Sequence, residues 1–176
     1  MSDLSIRVRR MRQQMTDWKV RNMSQWHTFR IPTPPPSGPH IRLELSLRSE
    51  VGAISPFVDT LMRLIRKCRW LPASEEEIEI ALREALANAV IHGNHEDAGK
   101  HVYVGCRCGT DEVSLVIRDE GQGFDMTAVP DPTAAENIKS SHGRGIYLMK
   151  ALMDEVRFER GGSVVYMRKS AGKPLL

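Results

Sequence analysis

Residues 74–93 read SEEEIEIALREALANAVIHG, and the reading of this stretch decides the fold. Ile78, Ala81, Leu82, Ala85, Leu86 and Ala89 recur at intervals of three and four, so at about 100° per residue they line one side of a helix. Ser74 and Glu77 stand three apart, the spacing of a capping box. Gly93 stands where a left-handed stop is expected, so the helix is predicted to run to about His92. Glu84 and Asn88, four apart, fall together on one edge of the apolar stripe, where core meets solvent. A carboxamide offers a neutral hard oxygen suited to Mg²⁺, and a carboxylate can accept a proton from an attacking hydroxyl. From this pair alone, two surface residues of an amphipathic helix are the simpler reading. His92 falls near the middle of the stripe and is expected in the core or at the helix cap.

Outward from this helix, the pattern alternates between the two periodicities. Upstream, Ile41, Leu43, Leu45 and Leu47 alternate with polar residues as a half-buried strand. A helix is then expected from Ser55 as cap with Pro56 in its first turn, carrying Phe57, Leu61, Leu64 and Ile65 inward and ending near Arg69. Downstream, 102–107 and 113–118 read as strands about a Gly-Thr-Asp turn, 145–153 as a helix, and 155–159 with 163–168 as a hairpin joined at Gly161-Gly162. Between Phe124 and Ser141 lies a stretch of lid length with two prolines and no periodicity. Strand, helix, helix, hairpin, helix, hairpin predicts an α+β fold: a two-layer sandwich of a mixed, mostly antiparallel sheet with helices on one face.

Composition narrows the function classes. No apolar run approaches a membrane span, and the arginine-bearing start has no apolar stretch behind it, unlike a secretory signal. Three cysteines, Cys68, Cys106 and Cys108, make no disulfide scaffold, and the expected setting is reduced and cytoplasmic. Cys106-x-Cys108 near His95 and His101 does not have zinc spacing. Of the 25 basic residues seven fall in 1–31, against two of the 22 acidic ones, so that segment carries about +5 and the rest about −2. Residues 1–31 therefore read as a basic extension, either a helix with Leu4, Val8, Met11, Met15 and Trp18 on one face that would dock on a partner, a second subunit or the body, or a flexible, solvated arm. Residues 32–40 are a proline-rich linker, 41–170 the principal domain and 171–176 a tail.

Two further stretches carry chemistry. Asp119-Glu120-Gly121-Gln122-Gly123 ends the apolar strand Val113–Ile117. An Asp there can accept a hydrogen bond from an exocyclic amino group such as adenine's, and the glycines let backbone approach a ligand without a Cβ in the way. His142-Gly143-Arg144-Gly145 precedes the helix from Ile146, and a glycine-rich helix entry is a ready phosphate site. Each alone also fits an ordinary turn or cap. No P-loop pattern occurs.

In order, Glu84-x-x-x-Asn88, Asp119-x-Gly121-x-Gly123 and Gly143-x-Gly145 occupy a helix, a strand end and a helix entry. This resembles the N, G1 and G2 boxes of the GHKL ATPases, whose nucleotide-binding unit is the Bergerat fold. Glu84-Ala-Leu-Ala-Asn88-Ala-Val-Ile-His92-Gly93, Arg118-Asp119-Glu-Gly-Gln-Gly-Phe124, Gly143-Arg-Gly-Ile-Tyr-Leu148 and Met153-Asp-Glu-Val156 look most like the bacterial anti-sigma factor serine/threonine kinases. The resemblance covers roughly residues 40–170. It implies ATP and Mg²⁺ as cofactors, Glu84 as general base, Asn88 as metal ligand and Asp119 as adenine contact. Gly121, Gly123, Gly143 and Gly145 would shape the pocket, with Arg144 near the phosphates. It further implies an anti-anti-sigma protein as substrate, a sigma factor as binding partner and a homodimer. The segment before Ile41 and the stretch Asp131–Ser141 depart from the family pattern. An ATP-gated regulator without kinase activity and the ATP-binding part of a sensor histidine kinase stand as alternatives; nucleic-acid binding is not expected, although the basic extension would supply the charge for it.

Overall fold

The computed structural model of the chain describes residues 40–67, 74–123 and 144–170. The elements in order are β1 (Ile41–Arg48), α1 (Val51–Arg66), α2 (Glu75–Ala87) continued by a π-helical turn over Asn88–Gly93, β2 (His101–Cys108), β3 (Glu112–Arg118), α3 (Arg144–Leu152), β4 (Glu155–Glu159) and β5 (Val164–Ser170). The five strands form one sheet in the order β1-β2-β3-β5-β4, and each pairing is antiparallel. The α+β sandwich expected from the sequence is the fold observed.

Period-2 patterning sorts each strand between two faces. Val113, Leu115 and Ile117 of β3 join Val102, Val104 and Cys106 of β2 in the main core, against Phe57, Leu61 and Ile65 of α1 and Ile78, Leu82 and Leu86 of α2. All six stripe residues read from 74–93 are buried. The opposite face carries a second, smaller apolar cluster of Tyr103, Val116, Val164 and Tyr166.

Four local expectations are corrected. First, α1 starts at Val51 with Glu50 as its cap, so Pro56 lies inside the helix rather than in its first turn. Its missing N–H would have bonded at exposed Gly52, where water can serve the carbonyl instead. Second, Ser74 makes no capping side-chain bond. Glu77 is drawn instead to Lys169, whose Nζ lies 2.6 Å from its carboxylate. A long-range charge-assisted bond has displaced the local reciprocal cap. Third, Gly93 is not left-handed; His95 and Glu96 take the positive φ values, 58° and 56°. Fourth, His92 is exposed, because the wider turn from Asn88 onward breaks the 3.6-residue phase that would have put it on the stripe.

Candidate functional site

The π-helical turn positions the first wall of the site. Its wide register is visible in the bond from Asn94 N–H to the Ala89 carbonyl, 2.9 Å, five residues back. Glu84 and Asn88, the carboxylate and carboxamide read from the sequence, are both half-buried at this helix edge. Asn88 Nδ2 is buried without a hydrogen-bond partner among the described residues. Packing thus holds the amide at the pocket wall.

The second wall is the end of β3. Asp119 continues the ladder one step past the strand, its N–H donating to the Ser163 carbonyl at 3.1 Å. Its side chain, only 8% exposed, accepts the Gly121 N–H at 2.8 Å through Oδ1. Burial pushes its carboxyl up from the ordinary carboxylate range, and the Gly121 N–H opposes that shift. The two walls meet at glycines. A Cβ on Gly93 would run into the Asp119 carboxyl, and one on Gly121 would run into the Gly93 carbonyl. Gly93 is therefore needed for close approach, not for a turn.

Asn88 and Asp119 open into one pocket whose apolar lining includes Ile117, Met149, Phe158 and Val165. Polar groups at two points on an otherwise apolar wall suit a flat, partly polar ligand such as a purine. Gly145, near the start of α3, packs against the helix edge: a Cβ there would sit 2.5 Å from Glu84 Oε2 and 3.6 Å from Asn88 Nδ2. Gly123 (φ 81°) packs against the Gly161 carbonyl in the β4–β5 turn. The structure thus brings Glu84, Asn88 and Gly145 together on one side and Asp119 and Gly121 on the other. Arg144 is exposed at the head of α3, and Gly143 lies outside the described residues.

Three residues that hold Asp119 in place were missed from the sequence. Asn94 is fully buried; its Oδ1 accepts the Glu120 N–H at 2.7 Å and its Nδ2 donates to the His101 carbonyl at 3.1 Å. Glu120 in turn accepts the His101 N–H at 2.8 Å and the Tyr103 hydroxyl at 2.9 Å. The end of the π turn, the start of β2 and the end of β3 are thereby pinned to one another. The third is Gly93. Its only signal in the sequence is its place after the helix, which reads more simply as a cap.

Comparison with known proteins bears on this geometry. The family model described as histidine kinase-like ATPase domain matches residues 47–169, a span that contains all the residues of the pocket. An anti-sigma F factor from Oceanobacillus iheyensis is 36% identical over 104 residues, covering 55% of this chain and 70% of the relative. Serine-protein kinase RsbW from Bacillus subtilis is 35% identical over 101 residues, 53% of this chain and 63% of the relative. A protein of the same name from Oceanobacillus iheyensis is 28% identical over 115 residues, 61% of this chain and 72% of the relative.

Proposed function

The chain belongs to the histidine kinase-like ATPase family, and from that premise we propose that it is an ATP-binding anti-sigma factor with protein serine/threonine kinase activity. The observation that carries the reading is the convergence of Asn88 and Asp119 on one pocket from a helix edge and a strand end, with Glu84 beside them at Gly145.

Each role follows from the chemistry available. The buried Asp119 carboxylate is an acceptor held at Oδ1 by the Gly121 N–H, and Oδ2 would take the exocyclic amino group of adenine. Ile117, Met149 and Phe158 supply apolar contact for the ring. The residues present fit Mg²⁺: the Asn88 amide lines the pocket, its nitrogen has no partner among the described residues, and its oxygen is a hard neutral donor suited to a cation that retains waters and phosphate oxygens. When bound, the ion would neutralise charge on the phosphates. The glycine-rich entry to α3, with Gly143, Arg144 and Gly145, would receive the phosphate chain.

The substrate hydroxyl is a serine of an anti-anti-sigma protein. Its oxygen attacks the γ-phosphorus, the bond from that phosphorus to the β–γ bridging oxygen breaks, ADP leaves, and the serine proton passes to the Glu84 carboxylate. The phosphate added to that partner would weaken its complex with the kinase by charge repulsion at the interface. Binding of a sigma factor, a homodimeric state and a cytoplasmic setting belong to the same proposal. Incubation with labelled ATP and the serine-bearing partner tests it. Transfer of label to serine is expected, with Glu84→Gln slowing it about 10²- to 10⁴-fold while ATP binding is kept. ATP binding without transfer would instead favour an ATP-gated regulator.

A further inference from the structure

Glycine is, proline apart, the poorest residue for the interior of a helix, yet Gly145 lies within α3. Its φ is not among the positive values that Gly123, Gly161 and Gly162 adopt, so the backbone conformation does not call for glycine. Space does. A methyl group at 145 would stand 2.5 Å from Glu84 Oε2 and 3.6 Å from Glu84 Cδ, so the carboxylate end of Glu84 rests directly against the α3 backbone. The adjacent cation does not hold that carboxylate: Arg83 is turned to Glu79 at 2.9 Å, Ser55 at 3.1 Å and Asp59 at 3.4 Å. Nor is α3 free to back away. It packs along α2, and Lys169 Nζ joins the two at their other end, 2.6 Å from Glu77 Oε2 and 2.7 Å from the Leu152 carbonyl. Glu77 to Glu84 and Gly145 to Leu152 are equal steps of seven residues, about 10 Å of helix each. The two helices therefore run antiparallel and in register, fastened at one end by the lysine and touching at the other through Gly145. Met149, one turn on from Gly145, is fully buried.

We propose, taking the role of Glu84 from the kinase reading, that Gly145 is the positioning residue for that side chain: the bare α3 backbone at 145 sets where the Glu84 carboxylate stands beside Asn88. A methyl added there meets its two neighbours very differently. Its clash with Glu84 falls on the far end of a flexible side chain, which turns to another rotamer at little energetic cost. Its 3.6 Å distance from Asn88 Nδ2 is ordinary contact, so the amide keeps its place. The backbone N–H at 145, the group a phosphate would meet, is the same in alanine. Gly145→Ala therefore moves the base and leaves the nucleotide's own contacts as they are. Displacing a reacting group by about 1 Å costs on the order of 10²-fold in rate.

Three measurements on the full chain test this: single-turnover transfer from labelled ATP, ATP titration with Mg²⁺, and crystal structures with a non-hydrolysable ATP analogue. Gly145→Ala is expected to slow transfer about 10²-fold at native ATP affinity and native thermal midpoint, with the Glu84 carboxylate displaced and Asn88 unmoved. Glu84→Asp draws the carboxylate back by one carbon–carbon bond and leaves room for the methyl. Adding Gly145→Ala to Glu84→Asp should therefore slow transfer no further. Native turnover in Gly145→Ala, or an unmoved Glu84 carboxylate in its crystal, would overturn the proposal. Lost ATP affinity would overturn it in favour of a direct part in holding the nucleotide, and an undiminished extra loss in the Glu84→Asp background would show that Gly145 does not act through Glu84. A native chain that transfers no phosphate, while Glu84 still moves in the Gly145→Ala crystal, would sink the kinase reading and leave the placement of the side chain standing.

Discussion

Asp119 concentrates the physical demands of the site. A carboxylate is placed where water is scarce, and its pKa rises because the charged form is the costly one. In the free protein the folded state therefore holds the proton more tightly than the unfolded chain. Stability is expected to rise as pH falls through the window between the unfolded and the raised folded value, and to be lower above it. Adenine binding runs the other way, because protonation removes the acceptor. ATP affinity should fall on acidification across the same window, at higher pH than for an exposed aspartate. Calorimetric titrations at a series of pH values check this, and the same titration of the Asp119→Asn protein should lack the dependence. Asn94 gives a second residue-scale prediction. Asn94→Ala leaves the Glu120 N–H and the His101 carbonyl without their partner, at a cost of about 2–4 kcal/mol in stability. The loss should appear in denaturant unfolding together with weaker ATP binding. A variant that lost stability but bound ATP normally would show that Asn94 does not position Asp119.

At the scale of elements, the helix 75–93 was legible because period and burial agree: each apolar residue at the expected phase is in the core. Leu82, fully buried, illustrates the energy involved; Leu82→Ala is expected to cost about 2–5 kcal/mol, read as a lower thermal midpoint. The ends of this helix were not legible, for two physical reasons. At its start, the capping box that Ser74 and Glu77 suggest gives way to Lys169, 95 positions beyond Ser74 and invisible to a local pattern. Lys169 Nζ also donates to the Leu152 carbonyl at 2.7 Å and lies 3.7 Å from Asp154, so it ties the start of α2 to the end of α3. Lys169→Ala should cost on the order of 1–3 kcal/mol and loosen α3, detectable as faster amide exchange at 149–153. At its finish, the π turn changes the phase within six residues. Nothing in the apolar period announces that change, and so His92 was misplaced. Of the site, the polar residues that face the pocket were readable from their chemistry and order. Asn94, Glu120 and Gly93 were not, because each works by holding a neighbour that only the folded chain brings near.

At the scale of the whole molecule, one sheet serves two surfaces. Its inner face and the helices build the pocket at the end of β3, and its outer face carries the separate cluster of Tyr103, Val116, Val164 and Tyr166. No described helix is long and apolar enough to cross a membrane. The account as a whole requires that a single carboxylate read the base and a single amide hold the metal, on opposite walls of one pocket. The most direct test is ATP affinity, with and without Mg²⁺, of the native chain, Asn88→Ala and Asp119→Asn. The account predicts that Asp119→Asn lowers affinity about 100-fold under both conditions, the ~3 kcal/mol effect of burying an unmatched donor where an acceptor is required. It predicts that Asn88→Ala loses only the increment due to Mg²⁺. Native affinity in Asp119→Asn, or an Mg²⁺ increment undiminished in Asn88→Ala, would contradict it.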